Sequence, residues 1–263
     1  MLHILVTNDD GIDSNGIHAL VHELRSFARV TVIAPDRQQS AVGHALTVAD
    51  PLRATPFHRD GELFGFAVSG TPADCVKLGL TTLMSEKPDL VVSGINHGAN
   101  TAVNVVYSGT VSAATEGMIM GVPSIAVSLC NFDPDADCSA AAHFAGIIVR
   151  HALDLNIPSG TILNINVPAL PREEIQGIKF VPLSRGYWND RYDVRTDPMQ
   201  RTYYWIHGKY HVPAGDHESD DGALADGYVA VTPIKFELTD RPTLASLAAR
   251  FSELQDDSDA NPR

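Results

Sequence analysis

The sequence predicts an α/β fold: a mostly parallel sheet with helices on both faces. Three observations carry that expectation. Short apolar runs alternate with segments of helical periodicity through about residue 168. The run at 90–92 shows no polar alternation, as expected of a strand covered on both sides. Four of the segments that follow strands, 8–15, 35–45, 69–72 and 93–110, hold more small polar residues than a connector needs.

Residues 2–6 are rich in β-formers and end in the turn-forming Asn8-Asp9-Asp10-Gly11. Ile17, Leu20, Val21 and Leu24 then recur at helical spacing, which predicts an amphipathic helix over 16–27. Residues 30–34 form the next strand, closed by Pro35-Asp36, and 35–45 read as a polar loop. Residues 64–68 form another strand. Thr71 as cap, Pro72 at the first helical position and Asp74 in the first turn start a helix running to about residue 84. The strand 90–92 is followed by a Gly/Asn-rich loop over 94–109, a helix over 111–120 and a strand over 122–129. A helix near 139–154 and a strand over 162–167 complete the alternation, with right-handed crossovers expected. The pattern is Rossmann-like, and 1–168 is expected to form the catalytic core.

After Pro168 the texture changes. Residues 180–212 carry most of the large aromatics: Tyr187, Trp188, Tyr192, Tyr203, Tyr204, Trp205 and Tyr210. Residues 203–206 and 228–231 read as strands of hairpins, 215–226 as an acidic Gly-rich loop, 242–253 as a final helix and 255–263 as a frayed polar tail. Residues 169–263 are thus expected to be a C-terminal β-hairpin extension with an acidic loop and a terminal helix, packed on the core.

Composition narrows the function classes. The chain has 263 residues, and 19 Lys+Arg against 32 Asp+Glu give a net charge of −13. A broad nucleic-acid or anionic-membrane surface needs a basic footprint, so neither partner is expected. Small anions remain open, because a metal and backbone N–H groups can hold them. No apolar run reaches the roughly 18 residues of a membrane helix. The start, MLHILVTNDDG, lacks the basic and apolar regions of a signal peptide. Three cysteines without a C-x-x-C pair fit a reducing compartment, so the expected location is cytoplasmic.

In a parallel α/β sheet, ligands bind at the carboxyl ends of the strands near a switch in strand order. The four polar loops should meet there. Asp9 and Asp10 are adjacent acids at a strand end, and a divalent cation removes their mutual repulsion. The plain alternative is a solvated β-turn. Asn96, in Ser93-Gly94-Ile95-Asn96-His97-Gly98, can offer an amide oxygen to a metal. Ser108-Gly109-Thr110 precedes a helix, where glycine admits a phosphate and the helix end presents N–H donors. The same turn must also cap that helix. Arg37 can offer a fork to a phosphate, though a solvated arginine is the default. His44 and His97 lie in the convergent loops, within reach of a substrate or leaving group. His207 and His211 read as structural or solvent-exposed. The aromatics of 187–210 suit either base stacking or a partner chain.

These residues are recognisable together. LVTNDDGIDSNGI (5–17) resembles the opening of the SurE (survival protein E) family, whose members are metal-dependent 5′/3′-nucleotidases. APDRQQS (34–40) is similar to that family's second loop. SGINHGANTAVNVVYSGTVSAATEGMIMG (93–121), followed by VPSIAVS, resembles its longest motif, and VTPIKFELTD (231–240) matches more loosely. Ala41 departs from the glycine that many members carry after the serine.

The resemblance implies that Asp9, Asp10, Ser40 and Asn96 ligate one divalent ion per subunit, Mn²⁺ or Mg²⁺. It places Asn8 and Ser108-Gly109-Thr110 around the phosphate, with Asp9 and Asp10 catalytic. It implies hydrolysis of nucleoside 5′- and 3′-monophosphates, with short polyphosphate as a further substrate, by a homodimer or homotetramer in which 169–263 is the oligomerisation extension packed on partner subunits. Rival readings fit less well. A haloacid-dehalogenase-type phosphatase needs Asp-x-Asp, whereas these acids are adjacent. A receiver-like module would end near 120–130. A dinucleotide site would show G-x-G-x-x-G after the first strand, and none is there.

Overall fold

The computed structural model describes residues 1–260, without the side chains of Glu253 and 256–260. In chain order, β1 (His3–Thr7), α1 (Asn15–Arg25) and β2 (Arg29–Pro35) come first, then β3 (Ala54–Arg59), β4 (Glu62–Val68) and α2 (Pro72–Leu78). They are followed by β5 (Leu90–His97), α3 (Asn104–Tyr107), α4 (Gly109–Ile119), β6 (Ser124–Leu129), α5 (Ser139–His151) and β7 (Thr161–Val167). The remaining elements are β8 (Ile178–Phe180), β9 (Tyr187–Thr196), β10 (Thr202–His211), α6 (Asp220–Ala225), β11 (Val229–Lys235) and α7 (Arg241–Ala260).

A nine-stranded sheet runs β3-β4-β2-β1-β5-β6-β7-β11-β8. The six central strands, β4 to β7, are mutually parallel. From β1 the chain steps outward to β2 and β4, then returns to the other side of β1 with β5. The strand order therefore reverses between β1 and β5, and their carboxyl ends open a crevice there. Ile4, Leu5, Val6, Leu90, Val91 and Val92 have no more than trace exposure, so these strands are fixed by burial on both faces. The α1 residues Ile17, Leu20, Val21 and Leu24 are buried against them as the periodicity requires. Each stabilises the packed layer by roughly 1.5–3 kcal/mol.

Helix starts follow their local chemistry. Thr71 caps α2 with a reciprocal bond to Asp74, and Pro72 stands at the first position. The helical path continues from α2 through a π-turn over Gly79–Leu83. Ser108, rather than Thr110, caps α4, its Oγ accepting from the Val111 amide at 3.1 Å.

Several sequence expectations are corrected. β5 does not stop at Val92: after an irregularity between Ser93 and Asn96 it pairs again, Asn96 with Ser128 and His97 with Leu129. This carries the Gly/Asn-rich motif onto the strand end, and part of 94–109 forms α3. Residues 228–231 are not a hairpin strand; β11 pairs antiparallel with β7 and parallel with β8 inside the main sheet. Residues 215–226 are not all loop, since Ser219 caps α6 and Asp220 is fully buried. The final helix runs beyond 253 to Ala260, so 255–260 are helical; the expected tail at 261–263 lies outside the described residues. β3 and β8 were not anticipated.

The hairpin of β9 and β10 stands apart as a two-stranded sheet whose side chains are nearly all exposed. Among the described residues, no helix is long and apolar enough to cross a membrane.

Candidate active site

Asp9 follows β1 and is only 4% exposed. Its Oδ1 accepts from the Thr110 hydroxyl at 2.5 Å. Gly109 lies directly over the carboxyl: a Cβ there would sit 2.8 Å from Asp9 Cβ and 3.0 Å from Oδ2. The turn predicted to hold phosphate is thus already engaged with Asp9, which the positive end of α4 favours as an anion. Burial still dominates and pushes the Asp9 carboxyl up to about 6, opposed by the Thr110 bond and reinforced by the neighbouring Asp10 charge. Its strongest charged neighbour is therefore another acid, and a cation would relieve both penalties.

Two adjoining clefts meet at this strand end. One of about 530 Å³ is lined by Asp9, Ser40, Asn96, Ser108 and the rings of Tyr107, Phe132 and Trp188. The other, of about 510 Å³, is lined by Asp10, Asp36 and Arg37. His97, Gln38 and Pro134 belong to both walls. The structure therefore brings Asp9, Ser40, Asn96 and Ser108 onto one cavity, with Asp10 facing its neighbour.

Asp10 Oδ2 accepts from the His97 backbone amide at 3.1 Å and lies 3.2 Å from His97 Nδ1. The other ring nitrogen, His97 Nε2, is buried without a partner. Asn96 donates its amide to the Gly98 carbonyl at 2.8 Å, which leaves Oδ1 as its acceptor end. Ser40 is exposed, and its Oγ accepts from Gln38 Nε2 at 2.9 Å. The Gln39 amide donates to the Asp9 carbonyl at 2.7 Å and ties that loop to the strand end. Asn8 spends both amide hydrogens inside its own loop, on the Gly11 carbonyl at 2.9 Å and on Ser14 Oγ at 2.8 Å. Its side chain braces the turn and keeps no donor for an anion.

The other residues separate. His44 is drawn away from both clefts onto the buried Glu116, 2.8 Å away, which also pairs with Lys77. Arg37 is exposed beside Asp10. His207 and His211 sit on the hairpin, one near Asp193 and one stacked on Tyr187.

Sequence reasoning missed the supports of the loop after β5. The Asn100 amide donates to Asn166 Oδ1 at 2.8 Å, its carbonyl accepts from Asn164 at 2.7 Å, and its side chain reaches Ser128 at 2.9 Å. Asp220 accepts from the amides of Ala102, Ser184 and Asp221 at 3.1, 2.7 and 2.9 Å, joining this loop to the hairpin root. Only a knowledge of strand neighbours could have shown these pairings.

Among the described residues, no three His, Cys, Asp or Glu side chains gather as a metal site. A cation here would rest on two carboxylates, a hydroxyl and an amide oxygen, which is the hard-oxygen set that Mg²⁺ and Mn²⁺ accept.

Comparison with known proteins identifies relatives along most of the chain. The family described as "Survival protein SurE" matches residues 4–190. The 5′-nucleotidase SurE of Syntrophobacter fumaroxidans is 49% identical over 238 residues, 90% of this chain and 95% of that relative. The 5′-nucleotidase SurE of Chlorobaculum tepidum is 44% identical over 90% of each chain. A solved SurE protein from Aquifex aeolicus superposes with a TM-score of 0.80 at 41% identity, covering 93% of this chain and 97% of that one. The family match spans most of the chain and these relatives exceed 40% identity over about nine-tenths of it, so the chain belongs to the SurE family.

Proposed function

We propose that this chain is a metal-dependent phosphomonoesterase that hydrolyses nucleoside 5′-monophosphates, and also 3′-monophosphates and short polyphosphate. The observation that carries the reading is the buried Asp9 carboxylate, held against the N-terminus of α4 in a cleft shared with Ser40 and Asn96. Asp9, Asp10, Ser40 and Asn96 would hold one divalent ion, Mn²⁺ or Mg²⁺. When bound, that ion supplies Lewis acidity to the phosphoryl group.

The chain's own residues do the rest. Thr110 fixes the rotation of the Asp9 carboxyl through its hydroxyl. Ser108, Gly109 and Thr110 set the positive end of α4 toward charge on the equatorial phosphoryl oxygens. Asn8 holds the turn that presents both acids. Asp10, oriented by His97, is placed to take a proton from the attacking water, a role that competes with metal ligation.

The active unit is a homodimer or homotetramer. On the hairpin, residues paired across the strands share a face, so Tyr192, Val194, Tyr204 and Ile206 form one exposed apolar side. On α7, Leu244, Leu247, Phe251 and Leu254 are also exposed at helical spacing. Among the described residues nothing covers either surface, and both suit a second copy. The three free cysteines support a cytoplasmic location.

The test is phosphate release from AMP and 3′-AMP with Mn²⁺ or Mg²⁺. Release that stops with EDTA and returns with excess metal is expected. No release from either nucleotide with any divalent ion would overturn the proposal.

A further inference from the structure

We infer that Tyr107, Phe132 and Trp188 form a nucleobase subsite that grips the base by stacking and does not read its edges. This rests on the nucleotidase reading above and adds the part of the substrate that reading leaves unplaced.

All three side chains line the cleft that holds Asp9, and all three are open to solvent, at 57%, 78% and 40% exposure. Exposed aromatics clustered on a catalytic cleft are unusual unless a ligand covers them. Their placement is built rather than incidental. Trp188 begins the hairpin, yet its indole N–H reaches back to Asn104 Oδ1 at 2.7 Å, and its ring lies 5.4 Å from that of Tyr210. The Tyr210 hydroxyl in turn donates to Asp221 at 2.7 Å, anchoring the hairpin root. Phe132 lies across the loop after β5, its ring close over Gly98, where a Cβ would sit 2.4 Å away. Tyr107 immediately precedes the Ser108 cap, which joins the aromatic rim to the phosphate end of the cleft.

Three polar groups beside the rim are turned to neighbours: Asn104 Oδ1 receives Trp188, Gln38 Nε2 donates to Ser40, and Asn100 Nδ2 donates to Ser128. The rim itself offers ring faces, which every base can match.

The experiment compares AMP with ribose 5-phosphate, which keeps the phosphoester and lacks the base, on the metal-loaded full chain. Trp188→Leu and, separately, Phe132→Leu should raise KM for AMP about 10-fold with little change in kcat. Ribose 5-phosphate kinetics should not move, and Trp188→Phe should recover most of the AMP affinity. Phe132 lies on an exposed loop, so its variant remains informative if Trp188→Leu harms folding. Unchanged AMP KM in both variants, or a parallel rise for ribose 5-phosphate, would overturn the subsite. Wild-type kcat/KM for AMP, GMP, CMP and UMP should agree within about tenfold; a hundredfold preference would overturn edge-blind recognition. A wild-type chain inactive on both AMP and ribose 5-phosphate would refute the nucleotidase reading itself, a result distinct from either.

Discussion

The strand-end site and the β9–β10 hairpin solve opposite problems. At the site, charge is buried: Asp9 and Asp220 are carboxylates with almost no exposure, held by hydroxyl and backbone donors. On the hairpin, apolar surface is exposed: Tyr192, Tyr204, Trp205 and Ile206 are each more than half open to solvent. Each arrangement is costly for an isolated chain. The first cost points to a cation, the second to another subunit. On the proposed reading, each misfit within the chain marks where a ligand would bind.

The sharpest test at the buried end is Asp9→Asn. Asparagine keeps an oxygen for the Thr110 hydroxyl but removes the charge. Turnover should fall on the order of 10³-fold, as expected when several kcal/mol of transition-state stabilisation are lost. The metal-free fold should not weaken, because the variant no longer buries an unpaired anion. Melting curves in EDTA should match or exceed wild type, while the upward shift that Mn²⁺ gives the wild type should vanish. A variant that melts much lower without metal would show that Asp9 is structural.

The two regions also differed in how far they could be read from sequence. The turns that carry the candidate residues were legible because their hydrogen bonding is local. Asn8 to Gly11 closes its own turn, and Ser108 caps the helix that Gly109 begins. The hairpin strands were legible in part, since β-formers cluster there, but exposure on both faces erases the alternation that fixes boundaries. β11 was misjudged because its partners are far away: Val231 pairs with Ile165 and Phe180, and nothing near 231 announces either. β3 was missed because Pro56 and a mostly exposed face give no periodic signal. Asp220 was hidden in an acidic run, where nothing marks one acid as buried and its neighbours as solvated.

Asp220 links the regions, since it accepts amides from the site loop at Ala102 and from the hairpin root at Ser184. Asp220→Asn turns an N–H donor toward one of those amides and should cost about 1–3 kcal/mol of stability. Its pH dependence has a definite sign. Burial raises the Asp220 pKa to about 6 from an ordinary 3.8, so the folded state holds the proton more tightly. The stability contributed by this protonation is complete below the ordinary value and is lost as pH rises through about 6. Wild-type unfolding free energy, measured in urea relative to the variant, should therefore decline between pH 4 and 6. A difference that is flat or rises over that window would show that Asp220 is charged at no cost.

The smallest effect on the fold is expected at the exposed end. Ile206→Asp places a charge opposite Tyr192, in the middle of the apolar side of the hairpin. Because both residues are exposed within the chain, monomer stability should change by no more than about 0.5 kcal/mol. Association should respond far more strongly, since burying an unpaired charge in an interface is penalised. Sedimentation at micromolar concentration should show the wild type as a dimer or tetramer and the variant shifted toward monomer. If the variant sediments as the wild type does, this face is not the subunit contact, and α7 with its own exposed stripe becomes the surface to break. If both are monomers at all concentrations, the apolar side of the hairpin is no subunit contact, and the contrast between the two regions fails.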